Sequence, residues 1–144
     1  MSVMNREKVM EITPHRDPIL LVDEVTEMVQ GESIVAKFYI DPDREVLKGH
    51  FPGNPVWPGV YTVESMAQAA GLLFLSMEKY KNKTPLFIGI DKVKFIKKIG
   101  PGDTLEIRVK KSMERPEKAI VACSAEVFTN GEIAASGEVS LALR

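Results

Sequence analysis

The fold is decided by the stretch His50-Phe51-Pro52-Gly53-Asn54-Pro55-Val56-Trp57-Pro58-Gly59 and by the apolar segment, residues 60–77, that follows it. The prolines in this stretch fix φ and push the residues before them towards extended conformations, so it should form a stiff, irregular loop. Pro58 suits the first turn of a helix, where its missing N–H costs nothing. Residues 60–77 are apolar or small on every face and carry a single charge, on Glu64. This pattern predicts a helix buried on all sides.

Glu64 is the most informative residue, because an unpaired carboxylate in an apolar environment costs several kcal/mol unless it takes up a proton. Burial favours the neutral carboxyl form, which a general acid working near neutral pH requires. A plainer alternative places Glu64 near an exposed helix end, where it complements the helix dipole. His50 favours the first interpretation, since a histidine on a stiff loop and a carboxylate inside the following helix could act as a paired base and acid. The first amide groups of that helix, near Gly59, could hold a developing oxyanion, so an activated carbonyl compound is the expected substrate.

Two segments of this region resemble the signature of the bacterial 3-hydroxyacyl-acyl carrier protein dehydratases of fatty acid synthesis. They are Gly49-His50-Phe51-Pro52-Gly53-Asn54-Pro55-Val56-Trp57-Pro58-Gly59-Val60 and Glu64-Ser65-Met66-Ala67-Gln68-Ala69-Ala70-Gly71. Shorter segments also resemble that family, so the resemblance covers most of the chain: Pro14-His15-Arg16, Pro18-Ile19-Leu20-Leu21-Val22-Asp23, Lys94-Phe95 and Pro101-Gly102-Asp103.

The resemblance implies an α+β hot-dog fold, in which a curved antiparallel sheet wraps around one central helix. It also implies a homodimer, or a trimer of such dimers, in which each active site takes His50 from one subunit and Glu64 from the other. In a dehydration that needs no cofactor, His50 would take the proton from C2 of the substrate, and Glu64 would protonate the departing C3 hydroxyl directly or through a water. The amide of Gly59 would hold the thioester oxygen. Gln68, four residues after Glu64 on the same helix face, could orient that carboxylate.

The resemblance further implies an acyl tunnel near the central helix, with Trp57 and Phe95 as candidate walls. Family members often carry methionine where Trp57 stands, so the larger ring bears on the accepted chain length. The implied partner is acyl carrier protein, and Lys97 and Lys98 belong to a basic cluster that could receive this acidic protein. The alternative for these lysines is a solvated strand face.

Three other functions remain open at this stage. A dehydratase that also isomerises the double bond would more often carry aspartate at position 64. A hot-dog thioesterase has no need for His-Phe-Pro-Gly before the helix. A catalytically silent acyl-binding module need not keep both His50 and Glu64.

The composition predicts one globular domain spanning residues 1–144, with 44% hydrophobic and 27% charged residues. A formal net charge of −1 gives no indication of nucleic acid binding. One cysteine, Cys123, and two histidines make a disulfide or a zinc site improbable, so we expect metal-free chemistry. The first residues lack the apolar core of a signal peptide, and the longest uncharged run is too short to cross a bilayer, so we expect a cytoplasmic protein with no membrane segment.

Elsewhere the sequence predicts a short helix over residues 5–11, a hairpin of strands 19–29 and 33–41, and a polar turn at 41–45. We expect the central helix to run to about Tyr80. Strands follow over residues 86–99, 104–113 and 119–129, and a hairpin turn at Asn130-Gly131 leads into a final alternating strand. His15, between prolines in a loop, is interpreted as hydrogen-bonding within the loop, with a place in the active site as the alternative.

Overall fold

A computed structural model of the protein describes residues 2–144, which form three α-helices and six β-strands. The helices are α1 (Arg6–Ile12), α2 (Glu45–Gly49) and α3 (Gly59–Leu75), and the strands are β1 (Glu24–Val29), β2 (Ser33–Tyr39), β3 (Pro85–Phe95), β4 (Thr104–Arg115), β5 (Ile120–Thr129) and β6 (Glu132–Leu143). The strands form one sheet in the order β1-β2-β4-β5-β6-β3, and every neighbouring pair is antiparallel. This arrangement confirms the α+β fold, a curved sheet around one helix.

Helix α3 lies at the centre of the protein, as its composition predicts. Every residue from Thr62 to Leu75 is buried except Glu64, because strands β2 to β6 all pack against this helix. The predicted helix end near Tyr80 was wrong. The Ser76 hydroxyl donates to the carbonyl of Leu73 at 2.9 Å and competes with continued helix formation, and a separate 3₁₀ turn covers Glu78–Tyr80.

The Asn130-Gly131 turn joins β5 to β6, as predicted. Both residues have positive φ, 52° and 78° respectively, which the type I′ turn of a two-residue hairpin requires. Along β6 every second residue from Ala135 to Leu143 is buried, as the alternating pattern predicts, whereas Ile133 at the start of this pattern is only partly buried. The hairpin therefore presents one apolar face to α3.

The strand predicted over residues 19–29 begins only at Glu24. Residues 19–23 are irregular because Leu21 uses its backbone groups elsewhere: its amide donates to Gln68 Oε1 at 2.7 Å and its carbonyl accepts from the Ser65 hydroxyl at 3.1 Å. Side chains of α3 thus replace a neighbouring strand as partners of this segment.

The other boundary errors are smaller. Helix α2 was not predicted, because the sequence indicates only a polar turn at residues 41–45 in this region. Strand β3 ends at Phe95 rather than at residue 99, and β4 continues to Arg115. No helix among residues 2–144 is long and apolar enough to span a membrane.

Strand β3 forms one edge of the sheet and pairs only with β6 among the described residues. Three of its side chains alternate along one face and remain exposed: Leu86 at 48%, Ile88 at 52% and Ile90 at 60%. An exposed, apolar edge strand is a natural place for pairing with another chain.

Candidate active site

His50 follows the last residue of α2 and begins the proline-rich loop. Its imidazole Nδ1 lies 2.8 Å from the carbonyl oxygen of Val56, and the ring stacks on Phe51 with centroids 4.0 Å apart. Since a carbonyl oxygen can only accept, Nδ1 carries the proton of this hydrogen bond and Nε2 of the neutral ring keeps a lone pair. His50 is thereby oriented to accept a proton at Nε2.

The loop that carries His50 is held by its own backbone. The amide of Val56 donates to the carbonyl of His50 at 2.7 Å, and Phe51 and Asn54 exchange amide–carbonyl hydrogen bonds at 2.9 and 2.8 Å. The His50–Phe51 peptide bond is cis. The loop then leads through Pro58 directly into α3, so His50 and the start of the helix form one unit.

A cleft of about 460 Å³ lies between this loop, the start of α3 and the chain after β3. It is lined by His50, Val56, Trp57, Gly59, Val60, Thr62, Phe95, Ile96, Lys97, Lys98 and Ile99. Gly59 is the first residue of α3, where backbone amides have no partner within the helix and carry the positive end of its dipole. The cleft therefore combines the imidazole of His50 with the first residues of a helix.

Trp57 and Phe95 both line this cleft, but they differ in exposure. Trp57 is 2% exposed, and its ring packs against Phe38 and edge-on against Tyr61, at centroid distances of 5.9 and 5.1 Å. Phe95 is 58% exposed. A Cβ atom on Gly59 would lie only 2.8 Å from two carbons of the Phe95 ring, so glycine allows that ring to cover the start of α3.

Lys97 and Lys98 lie at the same cleft, beyond the end of β3. The Lys97 ammonium is 3.5 Å from a Glu132 carboxylate oxygen, whereas Lys98 is exposed. The two residues add positive charge to the side of the cleft formed by the chain after β3.

Glu64 lies on α3, and its side chain is 26% exposed. It is thus less buried than the apolar sequence around it predicts. Gln68 Nε2 donates to Glu64 Oε2 at 2.8 Å, as the four-residue spacing predicts. Gln68 itself is 2% exposed and also bonds the carbonyl of Ile19 at 2.7 Å and the amide of Leu21. These contacts hold the amide in one orientation, so one oxygen of the Glu64 carboxylate has a fixed partner.

His15 also lies near Glu64, although the sequence favoured only a hydrogen bond within its own loop. Its Nδ1 is 2.5 Å from the Thr13 hydroxyl oxygen, which is the expected loop hydrogen bond, but its Nε2 also lies 3.7 Å from Glu64 Oε2. Burial lowers the pKa of His15 from its ordinary value of 6.5, and the charge of Glu64 partly opposes this effect. No spacing rule could pair these residues, because they are far apart in the sequence and meet only through the fold.

Within one chain, His50 and Glu64 line different cavities. The Glu64 cavity is bounded by His15, Ala67, Gln68, Pro85, Phe87 and Leu141, and none of these residues lines the His50 cleft. The two cavities do border the same strand: Pro85 and Phe87 lie near the start of β3, and Phe95 lies at its end.

Cys123 lies on β5 and lines neither of these two cavities. Cys123 is fully buried, and burial raises the pKa of its thiol to about 12, so it stays protonated near neutral pH. Among residues 2–144, no three His, Cys, Asp or Glu side chains are grouped so as to hold a metal ion.

The chain is similar to known proteins over nearly its whole length. The model of the FabA-like domain family matches residues 13–138. The 3-hydroxyacyl-[acyl-carrier-protein] dehydratase FabZ of Lactobacillus helveticus is 43% identical over 140 residues, covering 97% of this chain and 93% of that protein. The FabZ dehydratase of Clostridium perfringens (strain SM101) is also 43% identical, over 98% of this chain and 99% of the relative.

Solved structures share the fold at low sequence identity. A dehydratase heterocomplex, ApeI:P from Xenorhabdus doucetiae, matches with a TM-score of 0.78 and 18% identity, covering 94% of this chain and 90% of that one. A hypothetical thioesterase from Streptococcus pneumoniae matches with a TM-score of 0.63 and 11% identity, over 84% of each chain. The family match and the full-length relatives agree with the resemblance of the two signature segments: the chain belongs to the 3-hydroxyacyl-[acyl-carrier-protein] dehydratase family of FabA-like proteins.

Proposed function

We propose that this protein removes water from (3R)-3-hydroxyacyl-acyl carrier protein to give the trans-2-enoyl thioester in type II fatty acid biosynthesis. The names of its full-length relatives support the reaction. The observation that carries the proposal is the orientation of His50, whose Nδ1–H is bound to Val56 so that Nε2 is the basic nitrogen. A base with its lone pair in a cleft beside a helix N-terminus suits proton removal next to a thioester carbonyl.

The chain's residues divide the reaction as follows. His50 Nε2 takes the proton from C2, and the electron pair of that C–H bond forms the C2=C3 double bond. The C3–O bond breaks, and its oxygen leaves as water with a proton from the Glu64 carboxyl group. The amide of Gly59 donates to the thioester oxygen while charge develops there. Gln68, already bonded to Glu64 Oε2, keeps the acid in position.

The active site is proposed to form between two chains. Strand β3 borders the Glu64 cavity at its start and the His50 cleft at its end. If two β3 edges pair antiparallel about a two-fold axis, the start of each strand lies beside the end of the other. His50 of one subunit then shares a space with Glu64 of its partner, and the opposite pairing forms the second site.

The surface of β3 supports this dimer. Its outer edge has no partner strand within residues 2–144, and the exposed side chains of Leu86, Ile88 and Ile90 also need a partner to be covered. A continuous sheet across two subunits satisfies the backbone groups of both edges. A homodimer is therefore the proposed unit of function, and trimers of dimers remain compatible with it.

Two accessory functions are also proposed for this cleft: binding of the acyl chain and docking of the carrier protein. Trp57 and Phe95 are proposed to line the path of the acyl chain, with buried Trp57 limiting its depth. Lys97 and Lys98 are proposed to receive the acidic carrier protein, because they lie at the cleft that its prosthetic group must enter.

A mass measurement tests the reaction directly. The protein is incubated with a (3R)-3-hydroxyacyl carrier protein, and the intact carrier protein is weighed over time. We expect a loss of one water with the thioester retained, and a trans-2 double bond in the released product. Appearance of free carrier protein would indicate a thioesterase, a shifted double bond would indicate an isomerase, and an unchanged substrate would contradict the proposal.

Charge reversal tests the docking residues. The double variant Lys97→Glu/Lys98→Glu should raise KM for carrier-bound substrate by about tenfold, the scale expected for lost electrostatic complementarity. A short N-acetylcysteamine thioester should react as before. The matched control is Lys110→Glu/Lys118→Glu, which makes the same charge change at exposed positions outside the cleft. An equal effect on both substrates would exclude a docking role.

A further inference from the structure

His15 occupies a position for which the dehydration mechanism above has no role. It lies in the loop between α1 and β1 and reaches into the Glu64 cavity. Its side chain is 20% exposed, and its Nε2 is 3.7 Å from the same Glu64 oxygen that accepts from Gln68. Two nitrogen groups, from two different parts of the chain, thus face one carboxylate oxygen.

The Thr13 hydroxyl determines which nitrogen of His15 carries the proton. Thr13 is 3% exposed, and its oxygen lies 2.5 Å from His15 Nδ1. Within residues 2–144, the Thr13 hydroxyl oxygen makes one other hydrogen bond, which it accepts from the amide of His15 at 3.5 Å. If Nδ1 were the donor, the hydroxyl proton would be left buried without an acceptor, which costs free energy. The hydroxyl therefore donates to Nδ1, and the neutral ring carries its proton on Nε2, towards Glu64.

The surroundings keep this imidazole neutral near neutral pH. Burial lowers the pKa of His15, and Glu64 is the only other titratable group that bounds the cavity. Arg16 is the adjacent charge on the loop, but its guanidinium is directed to backbone carbonyls of Thr13, His15 and Met10 at 3.0, 2.7 and 2.9 Å. A neutral N–H donor can orient a carboxyl group without adding the full positive charge that would hold it ionised.

We propose that His15 is a positioning residue for Glu64, held by the Thr13 hydroxyl in the tautomer that presents Nε2–H to the carboxyl group. This inference rests on the proposed role of Glu64 as the acid of the dehydration. The 3.7 Å separation is longer than a hydrogen bond. Such contacts often shorten when substrate is bound, so we expect this hydrogen bond to form in the substrate complex.

Paired substitutions separate positioning from packing. His15→Leu removes the donor and should lower kcat by about tenfold, with little change in KM, because one hydrogen bond to a charged or ionisable group is lost. His15→Gln, whose amide N–H can reach the position of Nε2, should recover most of kcat. Thr13→Val removes the hydroxyl at nearly constant shape and should lower kcat, whereas Thr13→Ser keeps the hydroxyl and should retain most of it. Melting curves of all four variants show which of them fold.

Nitrogen NMR of the folded protein measures the tautomer independently of activity. The chain has two histidines, so spectra of ¹⁵N-histidine-labelled protein contain two rings, and His15→Gln assigns them. We expect His15 as the Nε2–H tautomer in the wild type and in Thr13→Ser, and a mixture of tautomers in Thr13→Val. An Nδ1–H tautomer for His15 in the wild type would overturn the inference.

The kinetic outcomes distinguish this inference from the proposed function. A wild-type protein without dehydratase activity would overturn the proposed function and, with it, the role of His15. An active wild type with an equally active, folded His15→Leu variant would overturn only the role of His15. A loss of kcat in His15→Leu that His15→Gln does not recover would show a packing effect and would also overturn it.

Discussion

At the scale of single residues, the His50 cleft depends on Gly59 having no side chain. A methyl group there would meet the exposed ring of Phe95 at 2.8 Å. Since that ring is the mobile end of a side chain rather than backbone, it can move aside at little cost to the fold. The same movement would disturb the wall of the cleft and the entrance to the first amides of α3.

We therefore expect Gly59→Ala to lower kcat/KM by about tenfold while the free energy of unfolding falls by less than about 1 kcal/mol. The double variant Gly59→Ala/Phe95→Leu should recover part of kcat/KM, because the smaller side chain removes the overlap. Kinetics and urea unfolding of the single and double variants form a double-mutant cycle. Strictly additive losses would show that Phe95 does not mediate the effect.

The titration of His15 predicts a pH dependence of stability. Folding lowers the pKa of this imidazole below 6.5, so between the folded pKa and 6.5 the unfolded chain binds more protons than the folded one. The free energy of unfolding should then fall as pH decreases through this window, and the contribution is fully present above 6.5. Chemical unfolding from pH 7.5 to 5 measures it. The His15→Gln variant is the control and should lose this component, whereas parallel curves for both proteins would refute the assignment.

At the scale of secondary structure, the reliable predictions came from local patterns. The uniformly apolar residues 60–77 predicted the buried helix α3, and Asn130-Gly131 predicted the β5–β6 hairpin. The start of β1 could not be predicted, because Leu21 bonds to side chains of Gln68 and Ser65 far along the chain. The Gln68–Glu64 contact spans one helical turn, so the sequence could indicate it. The approach of His15 to Glu64 joins distant parts of the chain, so the sequence could not.

Strand β3 provides a test of assembly at this scale. Ile90→Lys should separate the proposed dimer into monomers, since Ile90 lies at the middle of β3, where the proposed pairing would bring two lysines close together. Activity per chain should fall by tenfold or more at low protein concentration and rise with concentration. Val29→Lys is a matched control, because the Val29 side chain at the end of β1 has the same 60% exposure as Ile90. Light scattering that shows an unchanged assembly for Ile90→Lys would argue against pairing through β3.

At the scale of the whole molecule, the separation of His50 and Glu64 follows from the topology. The loop before α3 carries His50 to one end of β3, and α3 carries Glu64 towards the other end. A sheet that curls around a single helix keeps these two cavities apart within one chain. In the proposed dimer, two-fold pairing of β3 would turn this separation into two complete sites.

Subunit mixing tests this central claim most directly. His50→Ala and Glu64→Gln should each fold normally and lose about a hundredfold or more of turnover, the scale expected for removing a general acid or base. When the two inactive variants are unfolded and refolded together in equal amounts, about half of the dimers are mixed, and each mixed dimer has one intact site and one site lacking both residues. We expect roughly a quarter of the wild-type activity per total chain. Continued inactivity, with mixed dimers confirmed by mass spectrometry, would contradict an active site shared between two subunits.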